Sequence, residues 1–152
     1  MANTQSMCTS FMGELLTATH NFTPSTGDTF KAALYLASAT VNASTTAYSS
    51  TGEVTGTNYT AGGVAVTNAV APTSTNASAT AGTAYWTPSA SITYTNVTLS
   101  TAFDAVLIYN SSKSDKAVSV HTFGSQTVTA GTFTLTMPSN TTSTALIRLA
   151  TT

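Results

Sequence analysis

The sequence predicts an all-β domain: an antiparallel β-sandwich, jelly-roll-like, of about eight strands with one N-terminal helix. Three observations carry this. Short apolar runs bounded by Gly, Pro, Asn and Ser recur about every 8–12 residues from Phe30 onward, the spacing of sandwich strands. The stretch FDAVLIYNSSKSDKAVSVHTFGSQTVTAGTFTLTM, Phe103–Met137, alternates more clearly than any other. Helical spacing of apolar residues is confined to the first twenty positions. Residues 1–20 are therefore expected to form a helical segment docked on a sandwich domain of residues 21–152.

The helix is expected over Thr4–Thr19, where Met7, Phe11, Leu15 and Ala18 form one stripe that Met12 and Leu16 widen. Thr4 or Ser6 would cap it. Gly13 weakens it by roughly 1 kcal/mol relative to alanine, so its order must come from docking. Pro24 and Gly27 break the chain before a strand that begins near Phe30 with FKAALYLAS. From Ala39 to Gly63 the text is loop-like, with a short strand expected around Ala47–Val54; Tyr48 and Tyr59 provide something to bury. GVAVTNAVA supplies the next strand, which Pro72 stops. Thr73–Thr83 reads as a surface loop or weak edge.

Trp86 is the sole tryptophan, read as a core or inter-sheet anchor or, alternatively, as a stacking platform or interface anchor. Ile92 and Tyr94 alternate with threonines in a strand leading to Leu99. In FDAVLIY, Phe103, Ala105, Leu107 and Tyr109 share one face and Asp104, Val106 and Ile108 the other. Both faces are largely apolar, so this strand belongs in the middle of a packed sheet. NSSKSDK reads as a loop whose Lys113, Asp115 and Lys116 form a solvated tip. Gly124 and Ala130-Gly131 read as further breaks, and ALIRLA as the last strand.

Charged residues make up 6% of the chain, against roughly 25% in ordinary globular proteins, and the formal net charge is -1. There is no basic field for a nucleic-acid backbone, whereas a charge-poor surface favours association, here into a homo-oligomer. No apolar run approaches the roughly 20 residues that span a bilayer, so no membrane partner is expected. MANTQSMCTSFMGELL lacks the basic start and apolar core of a signal peptide, and Cys8, a lone cysteine, reads as a small buried residue. Synthesis in a reducing cytoplasm is the expectation.

No local catalytic constellation is present, and neither an enzyme nor a cofactor is expected. The five acids are scattered; only a pair assembled in space, such as Glu53 with Asp104, could serve glycoside hydrolysis. His20, His121 and Cys8 lack zinc-site spacing, and His121 among many serines carries little information about a Ser/His nucleophile system. Seven Asn-x-Ser/Thr triplets, including Asn110, are what chance places in a chain this rich in Ser and Thr.

The phrases MANTQSMCTSF…ELL…THNF, GDTFKAALYLASATVNASTTAYSSTGEVTG, YTAGGVAVT and VLIYNSS…KAVSVHTFGS…TVTAGTFTLTMPSNTTSTALIRLA resemble a family of tailed-bacteriophage virion proteins. The resemblance implies a small structural component of the head exterior, a cement or decoration protein. Its partners would be the major capsid protein and further copies of itself, on the outer capsid surface after assembly in the host cytoplasm. Candidate interface residues are Met7 and Phe11 of the helix region with Tyr48, Tyr59 and Trp86. The alternative is a phage tail component or an adhesin-like module whose Tyr48, Tyr59, Tyr85 and Trp86 stack on carbohydrate.

Overall fold

The computed structural model describes residues 2–75 and 82–151. Its elements are β1 (Ser6–Met7), α1 (Thr9–Leu16), β2 (Phe30–Leu36), β3 (Val64–Val66), β4 (Thr73–Thr75), β5 (Thr83–Trp86), β6 (Ile92–Asn110), β7 (Lys116–Leu135) and β8 (Ile147–Ala150). They form two antiparallel sheets, one of five strands in the order β1-β7-β6-β2-β3 and one of three in the order β4-β5-β8. The fold is the expected all-β sandwich with one short helix.

The alternating central stretch lies where its two apolar faces require. Phe103, Ala105, Val106, Leu107, Ile108 and Tyr109 are all buried, and the strand that carries them sits between β2 and β7. β2 is apolar on both faces apart from Lys31 near its start, and Ala32, Ala33, Leu34 and Tyr35 are buried on it. Gly63 lets β3 approach β2 closely: it holds φ +70°, and a Cβ there would lie 1.7 Å from the Ala32 carbonyl oxygen.

β6 and β7 are longer than the periodicity suggested. Sequence reading broke this region at Gly124 and Ala130-Gly131, whereas both positions lie inside β7, opposite β6. The breaks are bulges: register shifts fall at several points from Tyr94 to Ala105, the one between Phe103 and Ala105 lying opposite Gly124, and Asn96 and Ala130 adopt positive φ of 52° and 46°. An extra residue on one strand bends and twists a ribbon without ending it. β2 pairs with β6 only from Phe103 to Asn110, and the other half of the ribbon folds back over the core. Phe133 reaches Phe103 with ring centroids 5.0 Å apart, and the Tyr94 hydroxyl donates to the Ala32 carbonyl at 2.7 Å.

The helix is also shorter than its stripe. Ser6 and Met7 pair with Val120 and Ser119 of β7, and α1 begins only at Thr9. The preceding segment is held extended by the Thr4 N–H on the Val41 carbonyl and the Asn3 amide on Asp104. Neither Thr4 nor Ser6 caps the helix; the N-cap position is Cys8, with no side-chain cap bond. Docking supplies the order, through Cys8 and Phe11, both fully buried.

The expected strand at Ala47–Val54 is reduced to two isolated bridges, Ala47 to Lys116 and Glu53 to Tyr35. Of the Thr73–Thr83 tract, the ends form β4 and β5 and residues 76–81 lie outside the described residues. The two sheets meet at an aromatic cluster. Phe30 of β2 stacks on Phe22 at 4.4 Å, and Phe22 packs on Trp86 of β5 at 4.8 Å and on Phe11 of α1 at 6.0 Å.

Candidate interaction surface

The same cluster floors an apolar cleft of about 150 Å³ between α1 and the three-stranded sheet. Phe11, Leu15, Phe22, Trp86, Ile147 and Leu149 contribute to its lining. On α1 and β8, which contribute to that lining, the chain leaves large apolar side chains in solvent: Leu16 is 90% exposed, Met12 45% and Leu149 44%. A helix of eight residues can turn only one stripe inward, and Phe11 is its one buried residue. Met12 and Leu16, one turn apart, therefore share a neighbouring outward face. Among the described residues β8 is an edge of its sheet, so backbone groups along one side of Ile147–Ala150 have no strand partner there.

The five expected interface residues divide differently. Phe11 and Trp86 are buried, at 0% and 3% exposure, where they pack in the core and line the floor of the cleft. Trp86 is the inter-sheet anchor, its indole N–H donating to Asn68 Oδ1 at 3.0 Å. Met7 is half-buried against β7. Tyr48 and Tyr59 are half-buried too, and their hydroxyls donate to opposite oxygens of the Glu53 carboxylate at 2.6 and 2.7 Å. The Gly62 N–H adds a third bond at 2.8 Å. Burial, together with the hydrogen bond to Glu53, pushes both phenols above their ordinary range. The tyrosines thus fasten the loop between β2 and β3, whereas Tyr85 and Trp86 lie on the other sheet. These four side chains do not form one stacking platform.

A wider cleft of about 470 Å³, lined by Ser38, Thr40, Thr45, Ser49 and Thr51 over Tyr35, carries hydroxyls and no charge. Glu53 and Asp104 do not act as a pair, since Glu53 is committed to its tyrosines and Asp104 accepts from the Asn3 amide. Among the described residues no group of three His, Cys, Asp or Glu could hold a metal ion, and no helix is long and apolar enough to cross a membrane.

Two histidine sites were not legible in the sequence. His20 Nε2 lies 2.7 Å from Glu14 Oε2, and Lys116 pairs with the other Glu14 oxygen. On its opposite side His20 Nδ1 meets the Asn110 amide nitrogen at 3.0 Å, and that nitrogen also donates to Asp28 at 2.8 Å. Lys113, exposed in the turn between β6 and β7 as expected, is 3.6 Å from Asp28, and with Lys116 it also ties β6–β7 to the approach to β2 and to α1. Burial alone would raise the Glu14 carboxyl, but Lys116 and His20 hold it below the ordinary range. For Asp28 the bonds from Asn21 and Asn110 and the charge of Lys113 likewise outweigh burial. Asn110 is fully buried, in keeping with the chance reading of its Asn-x-Ser triplet.

At the second site Ser119 Oγ and His121 Nε2, two residues apart on β7, are 2.9 Å from each other. Ser119 is only 2% exposed, so this pair offers no reachable nucleophile. His121 lines a small apolar cavity with Ile92, Val106 and Ile108, and burial depresses its imidazole to about 4. The folded chain therefore resists a proton that the unfolded chain accepts. Stability is expected to be full above pH 6.5 and to fall as pH drops through 6.5 toward 4, by up to about 3 kcal/mol. Urea midpoints measured across that range in the wild type and in His121→Leu check this, since the variant should lose most of the slope.

No protein-family model matches the chain, and neither the curated proteins nor the solved structures hold a match to it.

Proposed function

We propose that the chain is a non-enzymatic virion structural protein, a capsid cement or decoration protein. It would bind the outer head shell of a tailed bacteriophage and stabilise contacts between capsid subunits. The observation that carries this reading is the apolar cleft between α1 and the three-stranded sheet, lined in part by Leu15 and Leu149, with Leu16 exposed at the end of the same helix. The resemblance of its sequence phrases to those of a family of virion proteins is the second support for this reading.

Exposed apolar side chains on a body with 6% charged residues are a surface that gains by being covered. Burying one leucine contributes about 1.5–3 kcal/mol, a weak contact alone. Repeated over a lattice and over a homo-oligomer, such contacts add through effective concentration. A protein that binds the assembled shell and not its loosened form stabilises that shell by mass action.

Cryo-electron microscopy of the intact particle tests the reading. Density of this sandwich bridging subunits of the major capsid protein is the expected result. Its confinement to tail or fibre would overturn cement in favour of a tail component or adhesin-like module. Leu16→Asp provides the matched variant: its side chain touches solvent, so stability should change by no more than about 0.5 kcal/mol. Occupancy on particles, measured by quantitative gel analysis after purification, should fall at least about tenfold, the loss of roughly 1.4 kcal/mol per site.

A further inference from the structure

We propose that the open edge of β8 takes an extended segment of a partner protein as an added strand, one that alternates apolar residues toward the cleft with acidic residues toward Arg148. This deepens the cement reading and rests on the same cleft, whose occupant it specifies. The backbone supplies the first half of the argument. Hydrogen bonds alternate along an antiparallel strand, and the Thr151 N–H on the Gly82 carbonyl at 3.0 Å sets their phase on β8. Ile147 and Leu149 are therefore the positions whose N–H and C=O turn toward β5, and those of Arg148 and Ala150 turn outward. β5 is the sole strand paired with β8 among the described residues, and Arg148, Leu149 and Ala150 are all exposed. The donors and acceptors of two residues are thus free to pair with one more strand.

Side chains supply the second half. Ile147 and Leu149 line the cleft, whose lining carries no charged residue, and Leu149 is 44% exposed. A strand beside β8 continues the floor of that cleft, and its residues on the same face lie next to Ile147 and Leu149, where apolar side chains gain most. Arg148 belongs to the opposite face, because successive strand residues alternate. Lys113 and Lys116 have carboxylate partners, whereas among the described residues Arg148 has none and its guanidinium donates to the Thr142 carbonyl, at 3.4 Å. An acidic residue on the added strand completes that face.

Charge also selects against a second copy as the occupant. Two β8 strands paired about a twofold axis with their apolar faces matched set Arg148 opposite its own counterpart or, one step along, opposite Ala150. Neither register brings a carboxylate, since residues 145–151 contain none, and the first sets like charges face to face. A single cationic side chain on an edge strand guards it against its own kind and leaves it open to the opposite charge.

The test uses the full chain labelled with nitrogen-15 and two capped nine-residue peptides, one alternating valine with aspartate and one alternating valine with lysine. The aspartate peptide should shift the Arg148 and Ala150 amides and bind about tenfold more tightly than the lysine peptide at low salt, a preference that shrinks as salt rises. Arg148→Glu, a change at an exposed side chain, should reverse the preference, and Leu149→Asp should weaken the aspartate peptide several-fold. The wild-type contrast decides the matter even if a variant does not fold. Equal affinity for the two peptides, no binding of either, or shifts that spare β8 would overturn the proposal. So would a homodimer in sedimentation whose β8 edge is protected from hydrogen exchange. Particle images separate the added strand from the cement reading. Density bridging capsid subunits with the β8 edge left open would sink the strand and keep cement, and aspartate-peptide binding by a chain found only in the tail would do the reverse.

Discussion

Glu53→Ala is expected to lower stability by roughly 3–5 kcal/mol, although the residue lies in a loop and has no part in any named strand. Its carboxylate is the common acceptor for the Tyr48 and Tyr59 hydroxyls and the Gly62 N–H, and the residue is only 6% exposed. Removing it strands three donors, each at about 1–3 kcal/mol when buried, less what water recovers at the partly open Tyr48. The damage reaches the sheet, because Tyr59 also accepts the Leu34 N–H of β2 at 3.0 Å and Tyr109 donates to the Gly62 carbonyl at 2.7 Å. A chain of this length should lose roughly 10 °C in Tm. Glu53→Gln should lie between wild type and alanine, since it keeps an acceptor and a hydroxyl can turn to accept from its amide. Thermal unfolding followed by circular dichroism measures both. A loss under about 1 kcal/mol for the alanine variant would show that the loop between β2 and β3 is held by other means.

Trp86→Ala should be comparably severe, at about 3–4 kcal/mol. The indole packs on Phe22 at 4.8 Å and Phe30 at 6.0 Å and holds Asn68, whose amide in turn donates to the Phe22 carbonyl at 2.9 Å. These contacts join the two sheets, so the substitution should also cost cooperativity. The void would merge with the cleft beside α1, where water can enter, which keeps the estimate below the top of the range for a large aromatic. Trp86→Phe should recover more than half of the loss, leaving Asn68 Oδ1 without its donor. Urea denaturation monitored separately by far-ultraviolet dichroism and by hydrogen exchange of β5 and β8 tests this. Coincident transitions in Trp86→Ala would mean that the sheets are coupled elsewhere.

The second of these effects bears on the proposed role, because Trp86 lines the cleft on which that proposal rests. The His20 network sets how firmly α1 stands beside it.

Residue order by itself determined the class of fold, the central place of Phe103–Tyr109, the strand at Phe30 and the burial of Cys8. Those follow from local alternation and from the two-sided apolar character of short runs, which any packed sheet must respect. It misjudged the breaks at Gly124 and Ala130-Gly131, because a bulge and a turn recruit the same residues and differ only in whether a partner strand continues opposite. It overextended α1, because the pairing of Ser6–Met7 with β7 spans more than a hundred residues and leaves no trace in local spacing. Met12 and Leu16 read as an extension of the buried stripe, whereas the exposed side of the helix is decided by what packs against it. The meeting of Glu14, His20, Asn110 and Asp28 was likewise decided by tertiary structure alone. Contacts between residues up to ninety or a hundred positions apart are chosen by chain topology, and topology is not written in any one window of sequence.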